Sequence, residues 1–223
     1  MKGIIFDKDG VLIDSELGKM EAMRQALSSL NVDLSKLEKF EEWYLGRVGV
    51  PGVESCERFI HKYSINFLDP IKLYDRVESI RKEMIVSAPA PSIKNNIDFL
   101  KSIPRDKFKI GISSSDFYSN IITHLKGADI FQYFDAITSG EKSAGEVKRD
   151  KPFPDIYLLT AKKLGVSPEN CIGIEDTDAG INAVKSAGIF CIAYRNPNSG
   201  KQTLADADII TDDLTKINLE SLF

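Results

Sequence analysis

The stretch Ile4-Ile5-Phe6-Asp7-Lys8-Asp9-Gly10-Val11 decides how this chain is read. It starts as an apolar strand and ends in two carboxylates and a glycine. Side chains alternate along a strand, so Asp7 and Asp9 share a side if the strand runs on through them. Gly10 permits the tight turn by which the chain then leaves. Two acids at a strand's end offer oxygen ligands to a divalent cation, and one of them can act as a nucleophile. An Asp-Gly pair by itself marks only a turn, so the assignment rests on what the other strands carry.

Short apolar runs recur near 3–7, 108–113, 135–138, 170–175, 189–193 and 207–211. Helical patterns lie near 92–102, 116–126, 153–165 and 177–187. This alternation predicts an α/β fold with a parallel sheet covered on both faces. The runs from 108 and 170 are apolar throughout, as burial on both faces requires. Residues 15–87 break the pattern. Met20, Met23, Leu27 and Leu30 follow at helical steps, and Pro51 and Pro70 stand as helix starts. Roughly four helices are expected there. Ala88-Pro89-Ala90-Pro91 is a stiff return segment. The expected organisation is an α/β core over 1–14 and 88–223, with a helical cap over 15–87 spliced into it.

Composition excludes several classes of function. The 223 residues carry a net charge of -4, which offers no electrostatic case for nucleic-acid binding. No apolar run approaches a membrane span. The start Met1-Lys2-Gly3-Ile4 lacks the features of a signal peptide, so a cytoplasmic location is expected. Cys56, Cys171 and Cys191 are odd in number and widely spaced, which reads as free thiols in a reducing compartment. His61 and His124 are the only histidines, too few for a zinc site or a serine-histidine-acid triad to be expected.

In open α/β sheets, ligands bind beyond the carboxyl ends of the strands. The first strand ends in Asp7 and Asp9, the next in Ser113-Ser114-Ser115-Asp116, and the run from 170 in Glu175-Asp176-Thr177-Asp178. The segment after 138 leads to Lys151-Pro152. Acids, small hydroxyls and one lysine are the inventory for a magnesium-bound phosphate. Asp7 and Asp176 are the best carboxylate ligands, Asp9 can offer its backbone carbonyl, and Glu175 and Asp178 can ligate or orient bound water. The same acids also suit a helix start capped by Thr177. Ser114 and the N–H groups from Ser115 onward can hold phosphate oxygens, or merely cap a helix. Lys151 can neutralise phosphate. Asp7 can attack phosphorus, while Asp9 protonates the leaving alcohol and then activates water.

Asp7-Lys8-Asp9-Gly10-Val11-Leu12-Ile13-Asp14-Ser15-Glu16 resembles the first motif of the haloacid dehalogenase-like superfamily, in its β-phosphoglucomutase-like phosphatase branch. Ser113-Ser114-Ser115 resembles the second motif, Lys151-Pro152-Phe153-Pro154-Asp155-Ile156-Tyr157 the third, and Ile172 through Ile181 the fourth. The motifs fall in the family's order across nearly the whole core. The resemblance implies a Rossmann-like catalytic core over 1–14 and 88–223 with a mobile helical cap over 15–87 that sets substrate specificity, magnesium as cofactor, Asp7 as nucleophile, Asp9 as acid/base and Ser114 as phosphate ligand. Leu45-Gly46-Arg47 resembles the cap loop facing the active site, which marks Gly46 and Arg47 for substrate binding and Arg47 for a second anionic group. Arg81 and Lys82 are weaker candidates for the same role and read first as a solvated helix face. Lys8 stands where an apolar residue is common; it reads as solvated, or as favouring an anionic substrate at the cap-core boundary.

The expected function is a magnesium-dependent phosphatase acting on a small phosphomonoester, a sugar phosphate or a phosphoglycolate-like metabolite. The first alternative is a phosphosugar mutase. Lys19 stands where the mutase resembled carries a histidine, which speaks against it. The second is a low-turnover binding or regulatory protein on the same fold; the intact set Asp7, Asp9, Ser114, Lys151 and Asp176 speaks against that. The sequence sets no oligomeric state and is compatible with a monomer.

Overall fold

The structure, a computed structural model, describes residues 1–141 and 145–222. Six parallel strands make one sheet: β1 (Lys2–Phe6), β2 (Phe108–Ser114), β3 (Ala136–Ser139), β4 (Cys171–Glu175), β5 (Phe190–Tyr194) and β6 (Ile209–Thr211). Their order is β3-β2-β1-β4-β5-β6. The chain builds outward from β1 on one side through β2 and β3, then returns to β4 and builds outward on the other. The topological switch point therefore lies between β1 and β4, where a doubly wound sheet opens its ligand crevice. Asp7 follows β1 and Glu175 ends β4, so the acids of the two motifs flank that crevice.

Four helices stand between β1 and the rest of the core: α1 (Glu16–Ser29), α2 (Phe40–Leu45), α3 (Gly52–Tyr63) and α4 (Pro70–Ser87). They bury a core of their own. Ala22, Met23, Ala26 and Leu27 of α1 join Phe59 of α3 and Leu73, Val77 and Ile80 of α4. The Trp43 and Phe59 rings meet edge to face at 5.2 Å between centroids. Pro70 opens α4 behind an Asp69 cap that accepts the Lys72 N–H at 2.9 Å.

The sheet is covered by α5 (Lys94–Ser102), α6 (Tyr118–Gly127), α7 (Asp155–Leu164) and α8 (Asp178–Ser186). Strand alternation divides the core in two. Ile4, Phe6, Ile110, Ile112, Ile172 and Ile174 face α5 and α6, where Ile97, Leu100, Ile121 and Leu125 complete one cluster. Ile5, Cys171 and Cys191 face the other way, onto Ile156 and Ala161 of α7 and Ile181 and Val184 of α8. Each of these large apolar side chains contributes roughly 1.5–3 kcal/mol by its burial. Those on both faces together fix the sheet's register. The three cysteines are free and buried. Among the described residues, no helix is long and apolar enough to cross a membrane.

The chain turns directly after β1, so strand alternation does not set Asp7 and Asp9 on one side. The strand does not continue through Asp9. The Leu12 and Ile13 N–H groups both donate to the Lys8 carbonyl, and Gly10 N–H donates to the Ile13 carbonyl at 2.7 Å. This closes a tight loop directly after Asp7. Gly10 sits at φ +76°, and a Cβ there would lie 1.9 Å from an Asp176 carboxylate oxygen, so the turn and the site both require glycine.

Candidate active site

Asp7, Glu175 and Asp176 place one carboxylate oxygen each within 4.8 Å of one another. All three are buried. The register that pairs Phe6 with Ile174 brings them together, and the Asp7 N–H donates to the Ile174 carbonyl at 2.9 Å. Lys151 arrives from the segment after β3. Its ammonium donates to Asp7 at 2.5 Å and to Glu175 at 2.6 Å. Glu175 is held on every side, by the Tyr157 hydroxyl at 2.6 Å and the Asp176 N–H at 3.1 Å as well. Its carboxylate lies flat against α8, where a Cβ at Gly180 would meet it at 2.0 Å. Asp176 accepts a short hydrogen bond from the Ser199 hydroxyl, in the loop after β5.

One ammonium does not balance three carboxylates. Burial, with the charges of Glu175 and Asp9, pushes Asp7 up to about 7, although Lys151 opposes the rise. Burial, with the charges of Glu175 and Asp7, drives Asp176 well above the usual carboxylate range. An excess of buried negative charge on hard oxygen donors fits a divalent cation such as magnesium.

Asp9 belongs to a different network. Its carboxylate accepts from Ser15 at 2.6 Å and lies 3.1 Å from Lys8 and 3.4 Å from Lys19. Burial alone would raise its pKa. Lys19, Lys8 and Arg81 together hold it well below the normal range. Asp9 is thus a carboxylate at rest, and its side chain stands outside the acid cluster.

Lys8 is neither solvated nor open to substrate. It is fully buried, donating to Asp116 at 2.6 Å and lying 3.2 Å from the Nδ1 of His124. Arg81 likewise leaves the solvated face expected of it. It grips Glu78 with two hydrogen bonds and crosses from α4 to Asp116 at 2.9 Å. Lys82 is exposed, as its pattern predicts. The physical reason for both corrections is Asp116, which lies buried at the end of β2 and draws in two cations. Asp178 also departs from the metal role expected of it. Its carboxylate turns away to cap the Thr203 and Leu204 N–H groups at 3.0 and 2.7 Å.

Ser114 is buried at the end of β2, and its hydroxyl accepts the Asp116 N–H at 3.2 Å. Ser115, the next residue, lines the cavity over the acids. That cavity measures about 500 Å³. Asp7, Asp9, Lys151 and Asp176 lie on its core side, and Arg47, Ser55, Tyr74 and Arg81 on its cap side. Gly46 ends α2 exposed and does not line the cavity; Arg47, Val48 and Gly49 do. Two functional residues escape the motifs: Asp116 as a charge anchor and Ser199 as a partner of Asp176. The polar run Asn196-Pro197-Asn198-Ser199-Gly200 follows β5, so the strand-end rule applied once more finds Ser199.

A model of the haloacid dehalogenase-like hydrolase family matches residues 1–188. The phosphorylated carbohydrates phosphatase of Thermotoga maritima is 30% identical, over 92% of this chain and 90% of its own length. The β-phosphoglucomutase of Bacillus subtilis is 29% identical, over 100% of this chain and 94% of its own. In fold, the chain superposes on CbbY from Rhodobacter sphaeroides, solved in complex with phosphate. The TM-score is 0.81 at 23% identity, covering 100% of this chain and 99% of that one.

Proposed function

The chain belongs to the haloacid dehalogenase-like hydrolase family, and on that basis we propose that it is a magnesium-dependent phosphatase of small phosphorylated carbohydrates. The observation that carries this reading is the lysine-bridged acid cluster: Lys151 joins Asp7 to Glu175 beside Asp176, at the switch point of the sheet and on the floor of a cavity. The named activity of the Thermotoga maritima relative supports the substrate class.

Asp7, Asp176 and the Asp9 backbone carbonyl would hold the metal, with Glu175 steering them through its own full set of hydrogen bonds. Bound there, a magnesium ion would polarise the phosphoryl oxygens and offset their charge. An Asp7 oxygen attacks phosphorus, the ester P–O bond breaks, and an aspartyl-phosphate forms. Lys151 keeps Asp7 in its nucleophilic form and balances the charge that builds up. Asp9 hands a proton to the departing alkoxide, then takes one from the water that attacks the phosphorus of the intermediate. Its ionised resting state suits the second half-reaction. For the first it must gain a proton, which the negative charge of an arriving phosphate promotes. The helices from α1 to α4 form a cap that closes the cavity and selects the substrate.

The test is phosphate release from a panel of sugar phosphates with magnesium, repeated in excess chelator. Release that needs the metal supports the proposal; release that persists without it refutes the metal-dependent reading. A second reading, a phosphosugar mutase, draws on the similarity to the Bacillus subtilis enzyme. It predicts conversion of β-glucose 1-phosphate to glucose 6-phosphate, with glucose 1,6-bisphosphate required and no net phosphate released. Lys19, tied to Glu16 at 2.6 Å and to Asp9 at 3.4 Å, occupies the place of the mutase histidine and weighs against it.

A further inference from the structure

Lys8 is a fully buried ammonium set between the two acids of the first motif, and no chemical step at phosphorus needs it. A lysine carries three N–H donors. Three acceptors surround this one: Oδ2 of Asp116 at 2.6 Å, Oδ1 of Asp9 at 3.1 Å and Nδ1 of His124 at 3.2 Å. The ammonium is therefore spent inside the protein and fixed in place. Asp116 anchors its far side. The Asp116 carboxylate also accepts the Phe117 N–H at 2.8 Å, the Asn120 amide at 2.9 Å and Arg81 at 2.9 Å. A carboxylate held by that many donors does not turn, and it keeps the ammonium from following Asp9 if Asp9 turns.

The consequence falls on Asp9, whose two oxygens are held differently. Oδ1 accepts the Ser15 hydroxyl at 2.6 Å and meets Lys8 at 3.1 Å. Oδ2 has the looser contact, with Lys19 at 3.4 Å, and Lys19 lines the cavity. An oxygen that faces a fixed cation and a hydroxyl donor is the poorer place for a proton, so the proton belongs on the other. Resting on the phosphatase reading, we propose that Lys8 is a positioning residue: it pins Oδ1 of Asp9 and thereby makes Oδ2 the oxygen that exchanges protons with the substrate. As the ester P–O bond breaks, the proton on Oδ2 passes to the departing alkoxide oxygen. Oδ2 then takes a proton from the water that attacks the aspartyl-phosphate.

Leaving groups of different proton demand test this on the full chain with magnesium. Lys8→Met keeps the apolar stem and removes the ammonium. Asp116 retains Arg81, and Asp9 retains Ser15 and Lys19, so neither acid is left bare and the variant should fold. Fructose 1-phosphate releases an alkoxide that needs a proton; p-nitrophenyl phosphate releases a phenolate that does not. Lys8→Met is expected to lower kcat/KM for fructose 1-phosphate by roughly 10- to 100-fold more than for p-nitrophenyl phosphate, the scale of a misplaced catalytic group, with KM for both little changed. A merely structural role lowers both alike. Equal falls, or a larger fall for p-nitrophenyl phosphate, overturn the proposal. A crystal structure of the variant reads the position without turnover: the Asp9 carboxylate should leave its place against Ser15. If wild type hydrolyses neither ester, the phosphatase reading fails and the crystal structure alone decides; an unmoved Asp9 overturns the positioning role. If Lys8→Met does not fold, Asp116→Asn, nearly isosteric, loosens the same ammonium and must give the same two results.

Discussion

Replacing Lys151 by methionine tests the charge balance of the acid cluster. The side chain keeps nearly its length and its apolar stem but loses the ammonium that meets Asp7 at 2.5 Å and Glu175 at 2.6 Å. Both partners are buried, and breaking a buried ion pair from one side costs about 3–5 kcal/mol. The lower figure applies, because Asp7 already titrates near 7 and can escape part of the penalty by taking a proton. About 3 kcal/mol corresponds to a fall in Tm of about 6–12 °C for a chain of this size. The pH dependence has a definite sign. A carboxyl whose folded pKa is raised stabilises the fold below its unfolded value and loses that contribution as pH rises through the folded value. Removing Lys151 raises Asp7 further, so the deficit should be larger near about pH 9 than near about pH 6. Burial disfavours charge on Lys151, but Asp7 and Glu175 outweigh it and raise its pKa, so the wild-type ammonium stays charged across that range. Thermal unfolding in chelator, followed by circular dichroism, measures this directly. A Tm within about 2 °C of wild type at both pH values, or a deficit that shrinks with rising pH, would refute the reasoning.

Other consequences follow from the same geometry. Burial and the neighbouring Lys8 depress His124 to about 4, so the fold needs it neutral; wild type should lose about 3 kcal/mol more than His124→Gln as pH falls from about 6.5 to about 4, and parallel pH-stability curves would contradict this. Ser199→Ala removes the hydroxyl that holds Asp176 and should weaken magnesium binding by roughly 10- to 100-fold in calorimetry; unchanged affinity would free Ser199 of that role. Gly180→Ala would push a methyl group into the Glu175 carboxylate and should cost about 1–3 kcal/mol in urea unfolding, with kcat falling alongside; full activity at wild-type stability would show that Glu175 can move freely.

The sheet was legible because a doubly covered parallel strand has to be apolar along its whole length, and the runs from 108 and 170 are. Asp7, Lys151, Glu175 and Asp176 converge because the strand-end rule ranks loops by where they emerge, and β1, β3 and β4 all emerge at one edge. What sequence concealed was pairing over long separations. Lys8 and Asp116 lie 108 residues apart, and nothing local to Lys8 shows that a buried carboxylate waits for it. Arg81, beside Lys82, read as part of a solvated helix face, and it does pair locally with Glu78; only the packing of α4 over the end of β2 turns it toward Asp116. Asp178 read as one more acid of the cluster, but the strand-to-helix turn after Glu175 aims successive side chains in different directions, and it caps a neighbouring loop instead.

Nucleophilic catalysis as proposed requires Asp7 to form a covalent bond to phosphorus. Wild-type protein should be mixed with a hydrolysed sugar phosphate and magnesium, quenched in acid during turnover, and reduced with borohydride, which converts an aspartyl-phosphate to homoserine. Peptide mass spectrometry should find homoserine at position 7 and at no other acid, with none in the Asp7→Asn variant. Homoserine at Asp9, or rapid phosphate release with no homoserine in repeated quenches, would contradict nucleophilic catalysis by Asp7.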